Sequence, residues 1–106
     1  MDKMLKTTLR RDAETITASA IRAVLPDAAV QRALKGVRFP GRVILVAAGK
    51  AAWQMAHAAC AALETPVTQG IVITKYGHAR GALPRLHIVE AGHPIPDENS
   101  FSATRQ

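Results

Sequence analysis

Three short peptides hold most of the groups that could do chemistry: Ala48-Gly49-Lys50, Lys75-Tyr76-Gly77-His78 and Glu90-Ala91-Gly92-His93-Pro94-Ile95-Pro96-Asp97. Each contains a glycine and at least one ionisable side chain. In the first, a glycine ahead of a helix lets backbone N–H groups approach an anion, and a helix N-terminus favours negative charge. Lys50 opposes the helix dipole there unless an anion, such as a phosphate or carboxylate, answers it. A lysine lying along apolar surface is the plain alternative. The second peptide adds a cation, a hydroxyl and an imidazole. The third is stiffened by two prolines, so it either holds a ligand at low entropic cost or only routes the chain.

Several common chemistries are excluded or weakened. A phosphate-binding Walker A loop needs a glycine five residues before the Gly-Lys pair and a Ser or Thr after it, and Ile44 and Ala51 stand at those places. Ala47-x-Gly49-x-x-Ala52 is a degraded dinucleotide fingerprint, and Thr74-Lys75 replaces the acid expected to bind ribose. His78 and His93 lack a third ligand at metal-site spacing, so no metal site is expected. His57 and His87 read as structural or exposed. Cys60 has no neighbouring cation in sequence to activate it.

The elements that must position these loops follow from periodicity. Leu5, Leu9, Ala13, Ile16, Ala20 and Val24 recur on one face of a helix from Asp2, a candidate N-cap, to Leu25, where Pro26 stops it. Asp27 caps a second helix, Ala28 to Lys35, and Gly36 ends it. Val43 to Ala47 is an unbroken apolar run, which predicts a strand covered on both faces. A helix over 50–63, strands over 71–74 and 86–89, and a helix beginning near Phe101 complete the order, with Asp97 to Ser100 as its cap. Strand, helix and strand in that order predict a parallel pair, hence an α/β, partly doubly wound, Rossmann-like sheet preceded by two helices. Ligands in such sheets gather beyond the carboxyl ends of the strands, where all three peptides fall.

With 106 residues the chain has room for one domain and one core. No apolar run reaches the ~20 residues of a membrane-spanning helix, and the start does not resemble a signal peptide. One cysteine excludes an internal disulfide, and a cytoplasmic setting is the default. The net charge is +6, but nine basic and four acidic residues lie in 1–42, against five and four in 43–106. The excess therefore belongs to the N-terminal helices and not to the three loops. Four aromatic residues, Phe39, Trp53, Tyr76 and Phe101, leave little on which nucleic-acid bases could stack.

Taken in order, Ala48-Gly49-Lys50-Ala51-Ala52, Gly70-x-Val72-x-Thr74-Lys75-Tyr76-Gly77-His78 and Glu90-Ala91-Gly92-His93-Pro94-x-Pro96-Asp97 resemble the N-terminal region of the glycerate 2-kinases whose C-terminal part carries the MOFRL motif. Members of that family are often labelled hydroxypyruvate reductases. The resemblance covers nearly the whole chain. It implies a two-domain enzyme that uses ATP and Mg²⁺ to phosphorylate the 2-hydroxyl of D-glycerate in an interdomain cleft. On that resemblance the family's active-site lysine falls on Lys50. Gly49, Lys75, Tyr76, Gly77, His78, Glu90, Gly92, His93, Pro94 and Asp97 would line glycerate or nucleotide.

Family members run to several times this length, and their second domain, which supplies a catalytic arginine, has no counterpart here. The expectation is thus an incomplete, inactive segment of a kinase whose missing C-terminal domain is its partner, with homo-oligomers of the whole parent allowed. Two other readings stay open: an NAD(P)-dependent hydroxypyruvate reductase, and a basic, non-enzymatic module that binds anions or nucleic acid.

Overall fold

Strands β1 (Val43–Ala48), β2 (Val67–Lys75) and β3 (Leu86–Ala91) lie side by side in that order, and both pairs are parallel. The computed structural model describes residues 2–106, in which four helices accompany the sheet: α1 (Lys3–Val24), α2 (Pro26–Leu34), α3 (Ala52–Ala62) and α4 (Glu98–Thr104). The architecture is α/β, as the sequence predicts. Parallel strands cannot be joined by a tight turn, and α3 supplies the crossover from β1 to β2.

One face of the sheet is packed. Ala52, Trp53 and Ala56 of α3 meet Val72 of β2 and Leu83, with Leu45, Ala47, Ala79, Leu86 and Ile88 around them. Alanines let the helix lie close to the strands, and the single indole fills the gap they leave. α2 packs on the outer side of α3. Asp27 does not cap α2; it lies in the first turn behind Pro26 and accepts a 2.6 Å hydrogen bond from Gln54 Nε2.

The other face departs from expectation. β1 alternates instead of being covered twice: Leu45 and Ala47 turn to the core, while Ile44 is 56% and Val46 71% exposed. Ile44, Val46, Ile71 and Ile73 line an open groove of about 880 Å³, with Ala103 of α4 also among its lining residues. A strand hides only the side that has a partner layer, and seven residues of α4 are too few to provide one. α1 is similarly bare. None of its residues is buried, Leu5, Leu9 and Ile16 included, and Asp2 makes no side-chain cap bond.

Several boundaries differ from those the sequence predicts, among them β1, which runs to Ala48, and α2, which spans Pro26–Leu34. β2 begins at Val67, four residues before Ile71, because Gly70 lies inside the strand. A Cβ there would stand 2.1 Å from the Leu45 carbonyl oxygen and 2.7 Å from the Leu86 side chain, so only glycine lets the three strands approach at this point. β3 runs on to Ala91 instead of ending at Val89. The helix expected over 50–63 spans Ala52–Ala62, since Gly49 to Ala51 form the turn. α4 starts at Glu98, ahead of Phe101, because Asp97 and Ser100 cap it reciprocally.

Candidate functional site

Because the strands are parallel, their carboxyl ends share one edge, and the three glycine-bearing peptides leave that edge together. Gly49 makes the first exit. Its φ of +128° is open to glycine and strained for other residues, and its N–H donates to the Ile73 carbonyl at 3.0 Å. The turn is thereby clipped to the end of β2 before α3 begins. The Lys50 carbonyl then accepts from Thr74 Oγ1 at 3.3 Å and lies 3.1 Å from His78 Nδ1. A carbonyl only accepts, so Nδ1 carries the proton of the neutral ring and Nε2 remains available.

The backbone of Lys50 is therefore held by the second loop while its side chain is exposed. The ion pairs among the described residues are Arg10–Glu14, Arg11–Asp12 and Arg38–Glu64, so Lys50, Lys75 and Arg80 belong to none. An unpaired cation on a backbone fixed by tertiary bonds can meet an anion with little further ordering.

The second and third loops are tied to one another. The Tyr76 hydroxyl donates to Asp97 Oδ2 at 2.5 Å and accepts from Asn99 Nδ2 at 2.9 Å. Asp97 Oδ1 accepts from the backbone N–H of Gly92 (3.1 Å) and of Ser100 (3.2 Å) and from the Ser100 hydroxyl (3.2 Å). These donors, Tyr76 first and Gly92 next, lower the Asp97 carboxyl from its usual 3.8 to about 2, against the opposing effect of burial. The same bond, more than burial, raises Tyr76 above its usual 10. Both side chains are occupied by each other, which makes them positioning residues.

Glu90 is on β3 itself, paired in register with Thr74, and its Oε2 accepts the Ala79 N–H at 3.4 Å. His93 and Pro94 are exposed beyond it. The loop residues surround two small depressions. Gly49, Thr74, Lys75, Gly92 and His93 line one of about 80 Å³, and Lys50, Gly77, His78 and Arg80 line the other, of about 170 Å³. The apolar groove on the open sheet face is larger than either, and of the three peptides only Ala48 lines it.

Arg80, Trp53 and Gln54 join the site although the sequence did not single them out for it. The available signal was the position of Arg80 two residues after His78 in a basic loop. Trp53 Nε1 donates to the Gly81 carbonyl at 2.9 Å, a contact between residues 28 apart that no local pattern encodes. Cys60 is away from these loops, and burial pushes its thiol up, which disfavours the reactive thiolate. No helix among the described residues is long and apolar enough to cross a membrane.

Residues 12–106 match the model of a family described as a domain of unknown function, DUF4147. The chain is 48% identical over 98 residues to a D-glycerate 2-kinase of Thermotoga maritima, an alignment covering 92% of this chain and 23% of that protein. It is 36% identical over 114 residues to a glycerate 2-kinase of Pyrococcus horikoshii, covering 97% and 25%. The crystal structure of a glycerate kinase from Thermotoga maritima superposes with a TM-score of 0.79 at 47% identity, over 93% of this chain and 24% of that one. The chain thus spans about a quarter of the length of these relatives.

Proposed function

This chain belongs to the DUF4147 family, and on that premise we propose that it is the N-terminal, anion-gathering part of a glycerate 2-kinase. The whole protein would transfer the γ-phosphoryl group of ATP to the 2-hydroxyl of D-glycerate, giving 2-phosphoglycerate. One observation carries the reading: Lys50, exposed and in no ion pair among the described residues, stands where three parallel strands deliver glycine-bearing loops to one edge. The names of the relatives in Thermotoga and Pyrococcus agree with it.

The chemistry suits these residues. Phosphoryl transfer depends on positioning and on neutralising charge, with little covalent work for the protein. Both substrates are anions. The Lys50 ammonium would neutralise glycerate's carboxylate or the transferring phosphate, with the N-terminus of α3 adding N–H donors beside it. Lys75 adds a second cation from the end of β2, and His78 offers Nε2 to a substrate hydroxyl. Tyr76 and Asp97 keep the second and third loops in register with one another.

Mg²⁺ fits this segment poorly. Among the described residues no three His, Cys, Asp or Glu side chains gather, and both carboxylates near the loops are engaged, Asp97 by Tyr76, Gly92 and Ser100 and Glu90 by Ala79. What the segment offers ATP is positive charge and N–H donors.

The test is turnover of the full-length parent with ATP, Mg²⁺ and D-glycerate, with 2-phosphoglycerate identified as the product. Lys50→Ala should lower the rate about 100-fold or more, the scale of losing one preorganised charge partner. Unchanged turnover would remove Lys50 from the mechanism. Consumption of reduced nicotinamide with hydroxypyruvate, without phosphorylation, would replace the kinase reading altogether.

A further inference from the structure

We propose that Arg80 is a further ligand-binding residue, which completes with Lys50 and His78 a pocket for one oxyanionic group, a carboxylate or a phosphate. The pocket has a volume of about 170 Å³ and is lined by Lys50, Trp53, Gln54, Gly77, His78 and Arg80. Three of those six residues, Lys50, His78 and Arg80, carry basic side chains and none is acidic. Lys50 and Arg80 belong to no ion pair among the described residues, so an entering anion meets two uncompensated cations. Asp27 accepts from the Gln54 amide and Glu90 from the Ala79 N–H, so neither forms an ion pair with Lys50 or Arg80.

The loop that carries Arg80 is built, not loose. Ala79 before it donates its N–H to Glu90, and Gly81 after it accepts from the Trp53 indole. Trp53 and Leu83 belong to the core cluster, and Ala79 packs against it. The backbone of Arg80 is thus pinned on both sides while the residue itself is exposed and lines the pocket. A guanidinium presents a planar fork that matches the paired oxygens of a carboxylate or phosphate, which a lysine beside it cannot do.

Size selects the group. The pocket is smaller than the roughly 300 Å³ at which drug-sized ligand sites begin, so it suits a short hydroxy acid or a single phosphate and not a whole nucleotide. The identity of the anion rests on the kinase reading; the preference for an oxyanion does not.

Trp53 is the only tryptophan and it lines the pocket, so its indole N–H resonance reports on occupancy. The ¹⁵N-labelled 106-residue chain is titrated separately with inorganic phosphate and with D-glycerate. At least one should shift that resonance saturably, and Arg80→Ala should weaken the response about tenfold or more. Arg80→Lys should recover only part of it, and Arg42→Ala, at the opposite end of β1, should change nothing. In the full-length parent, Arg80→Ala should raise KM for D-glycerate if the group is the carboxylate and KM for ATP if it is a phosphate.

The KM measurement decides the matter where the short chain does not titrate. An Arg80→Ala protein with both KM values unchanged overturns the proposal, as does wild-type-like binding by that variant. Arg80-dependent phosphate binding in a parent that lacks kinase activity would instead defeat the kinase reading and leave the pocket standing.

Discussion

Tyr76 and Asp97, 21 residues apart, are joined by a 2.5 Å hydrogen bond in which the phenol donates to the carboxylate. Tyr76 follows β2 and Asp97 caps α4, so this bond fastens the loop after the second strand to the loop after the third. The same carboxylate receives Gly92 and Ser100, which makes it the fixed point of the third loop. Sequence reading placed both residues on a ligand; the structure turns them toward each other.

Tyr76→Phe removes the hydrogen bond that most lowers the Asp97 carboxyl and leaves its bonds to Gly92 and Ser100. The Asp97 pKa should rise from about 2 toward the usual 3.8, read by carboxyl-carbon NMR titration. In the full-length parent the same change should raise KM more than it lowers kcat, because the loops lose register and not a reacting group.

Acid should release the latch in a defined window. The folded-state pKa of Asp97 is depressed, so its stabilising effect is complete above about pH 4 and is lost as pH falls through about 2. The Gly92 and Ser100 amide resonances should move together across that window. The Tyr76 pKa is raised, so the opposite limb begins above pH 10, where ionised phenol would face ionised carboxylate. Release near pH 6 would contradict this account.

Gly70→Ala should destabilise the chain by about 3 kcal/mol, the upper end of overpacking costs, because the nearest obstacle is the Leu45 carbonyl and not a flexible side chain. Gly41→Ala, where a Cβ meets nothing within 4 Å, should stay within about 0.5 kcal/mol. Urea midpoints compare the two directly.

The two sheet faces should respond differently to substitution. Leu83→Ala, in the core and 7% exposed, should cost about 2–5 kcal/mol. Val46→Lys, on the open face at 71% exposure, should shift the urea midpoint little, within about 0.5 kcal/mol. Comparable losses at both sites would mean that the open groove is covered in solution.

Periodicity and composition carried much of the architecture. Three apolar runs with a helix between the first two leave a parallel α/β sheet as the arrangement that buries them, and parallel strands then put the three loops at one edge. That much follows from local pattern, since backbone hydrogen bonding and apolar burial act along each run. Boundaries were less legible: Gly70 reads as a break until Leu45 and Leu86 are seen against it, and β1 reads as doubly covered because an apolar run does not say whether a second layer is present.

Residue types and spacing by themselves determined that Lys50, Lys75 and His78 would leave the sheet at its carboxyl edge. Only the tertiary structure decided which side chains stay free for a ligand. Tyr76 and Asp97 are consumed by one another, Glu90 by Ala79, and Arg80 enters through the indole of Trp53. The reason is physical: a polar side chain is available or engaged according to partners 11 to 28 residues away, and such pairings exist only once the strands have brought them within hydrogen-bond reach.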